Sequence, residues 1–165
     1  MKKTHTVVIV GFYSATLLAL QVALSSLPNV EIVSFLFVIY GLTLGLTTNL
    51  MIAFVFSIIE MLTWGFGDWV IGYLWIWPLW TVMIALLKPV VKENTYIWSL
   101  INGLWGFLFG MLFAINHGLF YGFNFSIAYW IKGIPFDIIH ALSNYIVMLV
   151  LFKPILRLFK EHHQK

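Results

Sequence analysis

Apolar residues run almost without interruption through the chain, and short polar or glycine-bearing breaks divide them into six stretches: about 6–26, 32–46, 50–63, 70–87, 96–115 and 134–153. Several approach the ~20 residues that an α-helix needs to cross the hydrocarbon of a bilayer. The breaks carry turn chemistry: SLPNVE at 26–31, TTN at 47–49, GFGD at 65–68 and KENT at 92–95. Lys88-Pro89 is expected to stop the fourth stretch and Lys153-Pro154 the sixth. The connection 116–133 contains its own apolar piece and predicts a short interfacial helix, after which Gly133 and Pro135 set the start of the last helix. The pattern predicts an all-α integral membrane protein, one six-helix domain over 1–165.

Composition sharpens this picture. Of the 165 residues 62% are hydrophobic and 9% charged, which is more apolar surface than a water-soluble fold can hide. The basic start invites a signal-peptide reading, but the first apolar stretch is long and others follow, so it is expected to remain as a span. With no cysteine, disulfides, thiolate metal sites and a cysteine nucleophile are excluded. The net charge of +3 is no nucleic-acid signal, because the basic residues cluster. Lys2 and Lys3, then Lys88 and Lys92, then Lys153, Arg157, Lys160 and Lys165 fall at what six spans would make one side of the membrane, with Lys132 alone elsewhere. The positive-inside rule assigns that side, and both termini, to the cytoplasm. A multi-pass protein of the cell membrane follows as the expectation.

Glu31, Asp68 and Asp137 gather toward the other side, with Glu60 a turn or two inside it. Carboxylates at membrane depth are costly and face protein or water, so they are candidates for function. Asp137, His140 and Asn144 fall within an arc of about 60° on the last helix, and Asn144 lies roughly 10 Å deeper than Asp137. They form a polar strip descending from the outer face. Asp137 in the first turn would alternatively serve the helix dipole, and His140 would bridge helices. Further outward candidates are Glu60 with Trp64, Asn116 with His117, and Asn29 with Glu31; their structural alternatives are a pairing of Glu60 with His140 or Lys132, an interfacial indole and a turn former. In DWVIGYLWIWPLW, 68–80, Trp77 and Trp80 lie too deep for an interfacial belt and would suit a large planar ligand.

Small residues recur every fourth position on the first helix, Gly11, Ala15, Ala19 and Ala23, a stripe that lets another helix approach closely. A second stripe, Gly103, Gly106, Gly110 and Ala114, is expected to pack internally. The AxxxA pattern in SATLLALQVALS, the LPNVE loop, six short spans, the ending GIPFDIIHALSN of the site region and the basic tail together resemble the substrate-binding S component of energy-coupling factor (ECF) vitamin transporters. The resemblance covers the whole chain. It implies a vitamin or related micronutrient captured outside the cell, and docking through the small-residue stripe on a membrane scaffold subunit driven by two cytoplasmic ATPase subunits. It also implies a site built from helices four to six and capped by outer loops, which maps onto Asn29, Glu31, Trp77, His117, Asp137, His140 and Asn144. A corrinoid such as cobalamin is the favoured ligand, and no cofactor or metal is expected.

Two other classes fit parts of the pattern. An intramembrane enzyme could use His117, Asp137 and His140 as acid, base or metal ligands, but neither HExxH nor a nucleophile motif accompanies them. A self-sufficient small transporter would favour an internal repeat, and the two halves show no convincing similarity. No GxxxxGK[ST] motif is present, so energy from nucleotide would have to come from partners.

Overall fold

A computed structural model describes residues 3–163 as an all-α bundle: α1 (Lys3–Leu24), α2 (Val33–Thr43), α3 (Leu46–Trp64), α4 (Asp68–Val91), α5 (Thr95–Tyr121) and α6 (Phe123–His163). Lys2 and Lys165 of the basic clusters lie outside the described residues. All helices except α2 are long and apolar enough to cross a bilayer, so the chain is a multi-pass membrane protein with five candidate spans rather than six. At 11 residues, α2 is about 16 Å long, half the ~30 Å of bilayer hydrocarbon.

What α2 lacks in length it makes up in position. Every residue from Val33 to Gly41 is buried, and α2 touches all five other helices. Its sequence VSFLFVIYG has no polar face because it has no solvent or lipid face. Gly41 lets α4 in: a Cβ there would sit 2.6 Å from Ile84. The Lys88 ammonium ends the helix by donating to the carbonyls of Gly41 (3.3 Å) and Leu42 (2.8 Å), satisfying groups that a helix C-terminus leaves open.

Three boundaries depart from the pattern's expectation. TTN is the first turn of α3 rather than a connection, because Gly45, at φ 82°, makes the tight turn two residues earlier. Pro89 and Pro154 lie inside α4 and α6, which run on to Val91 and His163. Most consequentially, 116–133 is not a connection with a short interfacial helix of its own. α5 continues to Tyr121, Gly122 turns the chain at φ 85°, and α6 starts at Phe123, passing through Gly133 and Pro135. Proline inside a membrane helix costs one backbone bond that neighbours can replace. Asp137 therefore sits 14 residues into α6 and has no role at a helix start.

α5 and α6 form the most extensive helix contact in the bundle. The second small-residue stripe builds it, as its spacing implied. A Cβ on Gly106 would lie 2.9 Å from the His140 carbonyl oxygen, and one on Gly110 would overlap the Asp137 carboxylate. The first stripe does the opposite. Gly11, Ala15, Ala19 and Ala23 are all exposed, while Val10, Ser14 and Leu17 face inward.

The bundle has two chemically different ends. Lys88, Lys92, Glu93 and Lys160 meet at one, where Lys160 pairs with Glu93 and Arg157 with Glu161. Asn29, Glu31, Trp64, Asp68 and His117 collect at the other.

Overpacking a tight contact costs ~1–3 kcal/mol. Gly106→Ala should accordingly lower the thermal unfolding midpoint of the purified chain by several degrees. Gly11→Ala, whose new methyl meets nothing within 4 Å, should not.

Candidate functional site

Three adjoining chambers open at the end opposite the lysines. The largest, about 550 Å³, lies between α4, α5 and α6 under the α1–α2 loop, with Asp137 and His140 buried inside it and Tyr129, Lys132 and Phe136 exposed at its rim. A second, about 300 Å³, sits beneath the α1–α2 loop and is walled by Asn29, Glu31, Trp64 and Trp77. A third, about 260 Å³, lies between α1, α3 and α4. Tyr73 lines all three, while Asn29, Phe109 and His140 separate the first from the second.

The α1–α2 loop is tied to α6 by one carboxylate. Glu31 Oε2 accepts the Ser34 amide at 2.8 Å, ordering the first turn of α2, and Glu31 Oε1 meets His140 Nε2 at 3.2 Å. Burial acts to raise the Glu31 pKa, but the hydrogen bond and charge of His140, with the bonds from Ser34, outweigh it and hold the carboxyl below its ordinary value. Asn29 adopts φ 58°, a left-handed conformation that asparagine tolerates, and this turns the loop over the first chamber.

Asp137 is the unusual group. It is 6% exposed, and its Oδ2 has no hydrogen-bond partner among the described residues. A polar atom in that state costs a few kcal/mol unless something satisfies it. Around it stand flat apolar walls: Phe109 and Phe113 (centroids 5.2 Å apart), Trp69 and Tyr73 (5.3 Å). The chamber can thus seat a ring system while the carboxylate accepts a hydrogen bond or faces a positive group.

Of the residues expected at a site, Asn29, Glu31, Asp137 and His140 come together. Trp77 reaches the second chamber only from within an aromatic cluster, stacked on Phe37 at 5.1 Å. His117 and Asn144 line none of the three chambers. His117 Nδ1 pairs with Asp68 at 3.0 Å, bracing the start of α4 against α5. Asn144 points at α5, where a Cβ on Gly106 would come 2.8 Å from its amide nitrogen, and its own carbonyl accepts from Asn102. Helical phase put Asn144 on the right face, but depth put it below the cavity floor. Asn116 bonds the Asp68 carbonyl and the Trp75 indole, and Trp80 donates to Ser34 O and stacks on Trp105 at 4.5 Å; both are structural. Glu60 pairs with Gln21, at 3.1 Å, rather than with His140 or Lys132.

The chain matches no protein-family model, no curated protein and no solved structure. The chambers therefore have to be read on their own chemistry. Among the described residues no three histidine, aspartate or glutamate side chains stand close enough to form a metal site. Phe109, Phe113 and Tyr129, which sequence reasoning did not single out, complete the walls. The i, i+4 spacing of Phe109 and Phe113 beside Gly110 is the one signal that could have revealed them.

Because folding lowers the Glu31 pKa, its contribution to stability is present above the ordinary value of about 4.5 and is lost as pH falls through the depressed one. Thermal unfolding followed from neutral pH to about pH 3 should show Glu31→Gln losing less stability on acidification than the wild-type chain.

Proposed function

We propose that the chain is the substrate-binding subunit of an ECF-type importer, capturing a vitamin or related micronutrient at the cell surface and handing it to an ATPase-driven scaffold. The observation that carries this reading is the buried, half-unpartnered Asp137 carboxylate in an aromatic chamber at the end opposite the lysines. With those lysines cytoplasmic by the positive-inside rule, the chamber at the opposite end opens outward. Its volume falls within the ~300–1,000 Å³ of small-molecule sites. The open rim at Tyr129, Lys132 and Phe136 leaves room for a ligand that protrudes, and a corrinoid is the first to test.

The second support is the exposed stripe of Gly11, Ala15, Ala19 and Ala23. Among the described residues nothing covers it, although small residues in a membrane helix are the ones that permit close helix contact. In this reading the scaffold covers it. The capture site and the stripe use different helices, so binding and docking separate cleanly in mutants.

A tryptophan-fluorescence and thermal-shift screen of the purified chain against cobalamin, cobinamide, riboflavin, folate, pantothenate, thiamine and pyridoxine should give a saturable hit, with a corrinoid expected. Asp137→Asn should weaken it about tenfold or more, the worth of a hydrogen bond to a charged group. A smaller vitamin as the hit would replace the corrinoid and leave the capture role standing; no hit at all would remove that role.

Uptake by cells carrying the partner subunits tests docking. Ala15→Trp and Ala19→Trp should leave ligand binding unchanged and abolish transport, because the indole blocks close approach. Normal transport in both would overturn the assignment of the stripe.

A further inference from the structure

The third chamber has a chemistry that ligand capture at Asp137 does not use. Its lining is five residues: Gln21 of α1, Glu60 and Trp64 of α3, and Trp69 and Tyr73 of α4. Glu60 forms its buried wall at 1% exposure, about one helical turn below the end of α3. Gln21 Nε2 donates to Glu60 Oε2 at 3.1 Å, yet Oε1 has no hydrogen-bond partner among the described residues. The Trp64 indole approaches the carboxylate without meeting hydrogen-bond geometry at Oε1. A buried carboxylate at membrane depth with one oxygen unpartnered is expensive. Among the described residues no lysine, arginine or histidine lines the chamber.

The other walls show what would lower that cost. Trp69 and Tyr73 meet edge to face, centroids 5.3 Å apart and planes at 83°, so they form two sides of a corner. Trp64, 57% exposed, stands at the open side. Aromatic rings attract cations through their negative faces, and a cage of two or three rings around a positive head is the usual means of holding an ammonium or alkylammonium group. A carboxylate at the back of such a cage adds full charge complementarity, while Gln21 fixes its orientation.

We propose that the chamber bounded by Gln21, Glu60, Trp64, Trp69 and Tyr73 is a binding site for an organic ammonium group. Glu60 Oε1 takes the charge and the three rings enclose the alkyl substituents. The site shares Trp69 and Tyr73 with the chamber that holds Asp137, but neither Glu60 nor Trp64 lines that chamber. The ammonium group can come from a soluble amine or from the head of a choline or ethanolamine lipid, since Trp64 opens near the membrane surface.

Titration of the full chain in a neutral detergent, followed by tryptophan fluorescence, tests it with tetramethylammonium, choline and the neutral choline isostere 3,3-dimethylbutan-1-ol, with sodium chloride matching ionic strength. The two cations should give a saturable change and the neutral isostere none. Glu60→Gln should weaken cation binding at least tenfold. Trp64→Ala, a rim change that should keep the wild-type unfolding temperature, should weaken it several-fold and covers the case in which Glu60→Gln does not fold. Reconstitution into nanodiscs of phosphatidylglycerol with or without phosphatidylcholine separates the sources: competition by phosphatidylcholine points to a lipid head, and its absence to a soluble amine. An equal response to the neutral isostere or to salt, no saturation, or unchanged binding in both variants would overturn the proposal.

Discussion

The contact on which the structure rests is the one between α5 and α6, and it exists because three positions on α5 have no side chain. Gly106 and Gly110 face the α6 backbone and its polar groups at distances that leave no room for a Cβ, and one on Gly103 would be tight, at 3.2 Å from the Ala141 carbonyl oxygen. In a bilayer there is little hydrophobic gain from pressing two helices together, so association comes from close packing and from polar groups that find partners. Here the glycines supply both. They let α6 lie near enough that Asp137 and His140 are buried rather than facing lipid, and they leave the space in front of Asp137 that Phe109 and Phe113 then wall.

Polar groups inside this bundle divide by what they touch. Asn116, Trp80, Asn49 and Lys88 each donate to a backbone carbonyl on another element, and act as crosslinks that hold a short central helix and its neighbours in register. Asp137 and Glu60 each line a cavity and keep one buried carboxylate oxygen without a hydrogen-bond partner among the described residues. Glu31 falls between the classes, since it orders α2, latches the loop to α6 through His140 and lines the second chamber. Depth alone does not distinguish these roles, because all of these side chains sit at or within the membrane; only the partner does.

That distinction also explains how much was legible in the sequence. Hydropathy located six helices, because each apolar stretch has polar or glycine punctuation. It misjudged α2 as a span, since a helix buried on every side looks the same as one in lipid. Periodicity placed Asp137, His140 and Asn144 on one face, and all three are buried there. It could not reveal that a glycine stripe on the facing helix would close over Asn144 while leaving a hollow at Asp137. Gly133 and Pro135 read as a helix start because their local preferences favour one; tertiary packing against α5 carried the helix through. The outward-facing stripe on α1 and the inward-facing stripe on α5 have the same spacing, so which of the two served the bundle was decided by neighbours rather than by pattern.

The two prolines of α6 have a mechanical consequence. Each removes one hydrogen bond and loosens its helix locally; between them, residues 136–153 form an uninterrupted rod of about 27 Å. Asp137 and His140 stand at the top of that rod, whereas Tyr129 and Lys132 lie beyond Pro135. Compliance is thereby concentrated above the acid and the imidazole. The doorway can flex about Pro135 while the floor keeps its geometry, so entry of a solute need not disturb the groups that would grip it.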